Sequence, residues 1–176
     1  MKTKPKKLSV FELVLFAVFA SLMFLSRVIM QFLPNIHMLA FFIVLLTVVY
    51  RTKALIPLYI YVLLEGLFSG FALWWIPYTY IWTILWAVAM LIPQDIQKKY
   101  AVIVYPLICC AHGLLFGILY SPVQMLMFNL NFNQTVLWIA SGFPFDLLQG
   151  IGNLIFGLLI YPMKTLLIKL NNKYTK

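Results

Sequence analysis

Apolar stretches long enough to cross a bilayer fill almost the whole chain, and this fixes the solvent before any finer feature is read. Six such stretches lie at about 8–33, 36–50, 54–73, 78–92, 100–120 and 136–170, separated by short polar gaps. With 64% apolar and only 10% charged residues in 176, the chain is far from the composition of a water-soluble domain. A spanning helix needs about 20 mostly apolar residues, so at most about six or seven spans fit and no second domain does. The expected fold is therefore an all-α integral membrane protein of six transmembrane helices in one domain, 1–176. The second stretch, at only fifteen residues or about 22 Å of helix, must thin the bilayer or sit among neighbours.

The net charge of +9 does not imply nucleic acid, because the basic residues sit at the termini and in the gaps. Lys-rich residues 2–7, Arg51 and Lys53, Lys98 and Lys99, and Lys164, Lys169, Lys173 and Lys176 fall on alternate connections. The connections near Pro34, from Trp74 to Pro77, and from Ser121 to Thr135 hold no Lys or Arg. By the positive-inside rule both termini are cytoplasmic, which requires an even number of spans. The first apolar stretch lacks a small-residue cleavage site and reads as a span rather than a removable signal. The segment 123–135, with Asn129, Asn131 and Asn133, reads as an outer loop or interfacial half-helix. The adjacent Cys109 and Cys110 imply neither a disulfide nor a metal site.

Ionisable groups inside apolar helices are costly, so the few present are the first functional candidates. Arg27, Glu65 and Asp146 all fall toward the outer half. Asp146, Gln149, Gly150 and Asn153 recur at helical spacing and put one polar stripe on the last helix, facing protein or a water-filled cavity. Trp74, Trp75, Tyr78, Tyr80 and Trp82 cluster at the same end. Aromatic rings beside a few convergent polar groups make a pocket for a small, flat ligand, although rings at helix ends also form interfacial belts. Arg27 and Glu65 have an alternative as a structural ion pair, and His112 one as a hydrogen-bonded helix contact. Gly66-x-x-x-Gly70 and Gly113-x-x-x-Gly117 permit close helix approach, and Ala17, Ala20 and Ser21 form a small face on the first helix. No phosphate-binding loop, H-E-x-x-H or nucleophile elbow is present. An enzyme or autonomous pump is therefore not expected, and uphill transport would need a partner.

The six spans, the small face Ala17-x-x-x-Ser21, the stretch from Leu64 through Glu65 to Trp75 with Tyr78 to Trp82, and the closing stretch from Phe143 to Asn153 resemble a known family. It is the substrate-binding S components of prokaryotic energy-coupling factor (ECF) vitamin transporters. The resemblance implies a cell-membrane subunit that takes a vitamin at its outer face, docks on a T component joined to two ATPases, and topples to release its cargo. It also implies that Ala17 and Ser21 serve docking, in place of the family's Ala-x-x-x-Ala. Arg27, Glu65, Trp74, Trp75, Tyr78, Tyr80, Asp146, Gln149 and Asn153 are the expected substrate contacts, with no cofactor or metal. Carboxylates among rings favour a heteroaromatic vitamin of the B6 or pyrimidine kind. Cobalamin, pantothenate or another vitamin is the alternative, as is a structural, chaperone-like subunit.

Overall fold

In a computed structural model, residues 8–174 are described. The basic residues 2–7 and Lys176, used above for orientation, lie outside them. The described residues form helices and no strand: α1 Val10–Ile29, α2 Leu39–Tyr50, α3 Leu55–Ser69, α4 Tyr78–Met90, α5 Lys98–Leu114, α6 Phe116–Phe128, α7 Phe132–Gly157 and α8 Ile160–Tyr174, with 3₁₀ turns at Arg51–Ala54 and Leu73–Trp75. Four stretches, Val10–Ile29, Leu39–Ser69, Leu73–Met90 and Lys98–Phe128, are long and apolar enough to cross a membrane. The pair α7 and α8, bent by 47°, makes a fifth.

Contacts with α1 show that the stretch Leu39–Ser69 folds back on itself. Phe19 meets Phe42 at 6.0 Å between ring centroids, and Arg27 meets Glu65 at 3.2 Å. Residues 19 and 27 are about 12 Å apart on a helix, whereas an unbroken helix would separate 42 from 65 by about 34 Å. The reversal comes at Arg51, whose φ of 55° is left-handed. Its guanidinium donates to the backbone oxygens of Ile92 (2.9 Å) and Met90 at the end of α4, which fixes the turn against its neighbour. α2 thus runs antiparallel to α1, and α3 parallel to it. The short second helix is not stranded in lipid, because every residue of α2 except Val49 is buried among the other helices.

Three boundaries differ from the sequence expectation. The helix does not stop at Ser121-Pro122 but continues to Phe128, with Pro122 inside α6. Proline leaves the carbonyl four residues earlier without its donor. Here the Ser121 hydroxyl donates to that carbonyl, on Ile118, at 2.9 Å. The segment 123–135, read as an outer loop or interfacial half-helix, is helical to Phe128 and then reverses tightly: Asn129 takes the left-handed conformation, and a capping box between Asn131 and Gln134 opens α7. The last helix, read as one span over 136–170, is two. Pro162 has no N–H for the Leu158 carbonyl, and the chain passes from α7 to α8 through i→i+3 bonds at Leu158 and Leu159.

Two ends of the bundle can be told apart. Phe11 stacks on Tyr174 at 5.5 Å, Glu12 pairs with Lys53 at 2.5 Å, Tyr50 bonds Asn171, and Lys164 donates to the Gln94 carbonyl at 2.6 Å. Both ends of the described chain therefore meet at the end that also carries Arg51, Lys53, Lys98 and Lys164. Glu12 closes a capping box with Ser9 as well.

Glycine does different work in the two motifs. Gly113 abuts the Gly150 backbone and Gly117 the Asp146 carboxylate, so α5, α6 and α7 approach closely. Gly66 instead makes room for the ring of Phe71, and Gly70 caps α3 at φ 86°. That pair shapes the end of its own helix rather than a helix interface.

Candidate functional site

At the end opposite the basic residues, two adjoining cavities open between the tops of the helices. One, of about 310 Å³, is lined by Arg27, Met30, Gln31, Leu33, Pro34, Asn35, Ile36, His37, Tyr78, Phe116 and Gln149. The other, of about 370 Å³, is lined by Asn35, Phe116, Gly117, Tyr120, Gln124, Trp138, Ile139, Gly142, Phe145 and Asp146. Asn35 and Phe116 line both, so they form the wall between a polar lobe and an aromatic lobe. The stripe on α7 supplies one residue to each: Gln149 to the polar lobe and Asp146, one turn earlier, to the aromatic lobe.

Arg27 reaches the polar lobe from the last turn of α1. Its Nη1 lies 3.2 Å from Glu65 on α3, with Arg27 34% exposed and the Glu65 side chain fully buried. The contact is ionic without hydrogen-bond alignment, since neither Glu65 oxygen has an aligned partner among the described residues. Glu65 thus stands behind Arg27 and not in the cavity wall. Asp146 is held at the close approach of α6 to α7, where its Oδ2 accepts the Gly117 backbone N–H at 2.9 Å.

Buried polar atoms without a partner among the described residues concentrate here. They include the Gln149 amide nitrogen and His37 Nδ1, both on residues of the polar lobe. Behind them Trp82 lies between His37 (5.8 Å) and His112 (5.3 Å) and also touches Phe116 (5.6 Å). Trp82 Nε1 and His112 Nδ1 are likewise unpaired, while His112 Nε2 faces the Ile81 carbonyl at 3.2 Å. Native interiors pair nearly all such atoms, so a group of them beside a cavity makes it the candidate site.

Of the nine expected contacts, Arg27, Tyr78, Asp146 and Gln149 line the lobes. Four others are turned elsewhere. Trp75 donates to the Val62 carbonyl at 2.8 Å and stacks edge-on with Phe71. The Trp74 carbonyl accepts from Tyr120, and the Trp74 ring packs on Tyr78. Tyr80 donates to the Leu119 carbonyl at 2.7 Å, fastening α4 to α6. Asn153 donates to the Cys109 carbonyl at 3.2 Å and joins α7 to α5. Each has a backbone partner or packing contact that fixes it away from the cavities.

His37, Asn35, Phe116, Tyr120, Gln124 and Trp138 are cavity residues that sequence reasoning did not single out. His37 carried the one usable signal, a polar ring just beyond the Pro34-Asn35 turn in an apolar chain. On α1, Ala17 and Ser21 lie exposed on the flank with Val14 and Val18, and the Ser21 hydroxyl is satisfied by the Ala17 carbonyl at 2.9 Å. Ala20 is fully buried in the core and is not part of that face.

Comparison with protein-family models, curated proteins and solved structures gives no match.

Proposed function

We propose that the chain is the solute-binding membrane subunit of an ECF-type vitamin importer, crossing a prokaryotic cell membrane six times with both termini cytoplasmic. The antiparallel course of α1, α2, α3, α4, α5–α6 and α7 supports six crossings, and the basic end supports the orientation. The observation that carries the binding role is the paired cavity at the opposite end, whose polar lobe is lined by two buried polar atoms, Gln149 Nε2 and His37 Nδ1, that have no partner among the described residues. A vitamin enters there from outside. Energy for release comes from a T component and two ATPases, since the chain carries no nucleotide-binding motif of its own.

Protein purified in detergent after growth in rich medium, then extracted with acid, is expected to release a stoichiometric small heteroaromatic compound detectable by mass spectrometry. An empty extract, joined by no heat of binding across a vitamin panel, removes the binding role and leaves a structural subunit.

Docking on the T component is assigned to the exposed Ala17 and Ser21 flank of α1. With its hydroxyl satisfied within the helix, Ser21 presents a small surface that a partner helix can approach closely. The double variant Ala17→Trp, Ser21→Trp is expected to lose uptake and co-purification with the T component while the isolated subunit still binds its vitamin. Retained uptake and co-purification would remove the docking role.

A further inference from the structure

We infer that the solute is a flat ring compound bearing a hydrogen-bond-accepting arm and no anionic group, with its arm against Gln149 and His37 and its ring against Phe116, Tyr120 and Trp138. The inference rests on the binding-subunit reading and narrows it. Gln149 is 1% exposed, and its amide nitrogen sits in the polar lobe without an acceptor. A buried N–H donor is costly when unpaired, so a carbonyl or hydroxyl oxygen brought by the solute restores what folding left open. His37 Nδ1 is a second unpaired atom in that wall.

The aromatic lobe has a different chemistry. Tyr120 and Trp138 lie nearly parallel, 5.9 Å apart at 29°, and Phe116 continues the surface at 6.1 Å from Tyr120. A planar ring laid on such a surface gains contact area together with favourable ring geometry. The two lobes, about 370 and 310 Å³, meet at Phe116, so one molecule with two unlike halves reaches both.

Charge decides against an anion. Arg27 could be taken for a carboxylate or phosphate anchor, but Glu65 already stands 3.2 Å from it. Asp146 adds a second carboxylate across the wall, satisfied at Oδ2 by one backbone N–H. With both carboxylates ionised, Arg27, Glu65 and Asp146 sum to one negative charge. An anionic solute would add like charge in a poorly screened site, whereas a ring N–H or protonated ring nitrogen would meet Asp146 favourably.

The test is calorimetric titration of the full chain in detergent with matched pairs: pyridoxine and pyridoxal 5′-phosphate, thiamine and thiamine phosphate, riboflavin and its 5′-phosphate, with pantothenate and biotin beside them. A non-phosphorylated ring compound is expected to bind, and its phosphate ester to bind at least about tenfold more weakly. Gln149→Leu and Trp138→Ala are each expected to weaken the bound compound about tenfold, the scale of one buried hydrogen bond or ring contact. The matched pairs need no variant, so a misfolded Gln149→Leu leaves the inference open to refutation. An ester, pantothenate or biotin binding as tightly as the non-phosphorylated rings, a co-purified anion, or a folded Gln149→Leu with unchanged affinity would overturn this inference while leaving the binding role standing. Failure of every compound to bind, with an empty extract, would overturn both.

Discussion

Gly113→Leu is expected to lower the thermal midpoint of the purified protein by roughly 10 °C and to reduce the yield of monodisperse material. The reason is geometric. Even a Cβ at position 113 would lie 2.8 Å from the Cα and the nitrogen of Gly150, and 2.9 Å from Asn153 Nδ2. Two of those atoms belong to backbone, so the helices themselves must part. Overpacking of a tight site costs about 1–3 kcal/mol for a small excess, and a leucine adds three further carbons. For a chain of this size each kcal/mol moves the midpoint by about 2–4 °C.

Separation would also break the bond from Asn153 to the Cys109 carbonyl and move Asp146 away from the Gly117 N–H, so the damage extends to the wall of the aromatic lobe. A paired substitution isolates the cause. At Gly142, on the same helix as Gly150, an added Cβ would meet nothing within 4 Å. Gly142→Ala is therefore expected to raise stability by about 0.5–1 kcal/mol through helix propensity alone. A Gly113→Leu protein melting with the wild type would mean that α5 and α7 do not touch where Gly113 and Gly150 meet.

That contact was legible in the sequence, because Gly113 and Gly117 stand one turn apart in an apolar helix. The same spacing in Gly66 and Gly70 misled, since small residues announce close approach without saying what approaches. The α7 stripe was legible for a related reason: helical periodicity places Asp146, Gln149, Gly150 and Asn153 on one face, and all four are buried. Which of them reaches a cavity depends on the neighbour each one meets, and periodicity is silent on neighbours. Asn153 faces the Cys109 carbonyl, while Gln149, one turn earlier, faces a hollow.

The aromatics at the outer end show the limit more sharply. Composition put Trp74, Trp75 and Tyr80 near the site but could not orient them. The Trp74 carbonyl, the Trp75 N–H and the Tyr80 hydroxyl found Tyr120, Val62 and Leu119 instead. The cavity's rings come instead from α6 and the early part of α7: Phe116 and Tyr120 fall in the expected fifth span and Trp138 in the expected sixth, but nothing in their spacing marked them as facing a hollow. At Ser121-Pro122 the local rule held, but Ser121 supplied the hydrogen bond that Pro122 removed, and the helix ran on to Phe128. At Pro162 no side chain makes that repair, and the helix bends.

Arg27 and Glu65 give the second large effect, and its sign pattern separates a structural pair from a solute anchor. Arg27→Leu leaves the fully buried Glu65 carboxylate without its only cationic neighbour within 4 Å among the described residues. Removing one partner of a buried ion pair costs about 3–5 kcal/mol. The lower figure applies here, because Arg27 is 34% exposed and water already screens part of the attraction. A midpoint fall of roughly 6–12 °C is expected. Adding Glu65→Gln to that variant removes the stranded charge and is expected to recover most of the loss, giving a coupling of about 2 kcal/mol between the two positions. Solute affinity should follow a different course. If Arg27 is neutralised by Glu65, as the 3.2 Å contact indicates, the double variant keeps its affinity for an uncharged ring compound within a few-fold. Were Arg27 the anchor of an anionic solute, the double variant would recover stability yet bind far more weakly. Two single losses that simply add in the double variant would show that the pair is not coupled at all, and the charge balance assigned to the cavity would fall with it.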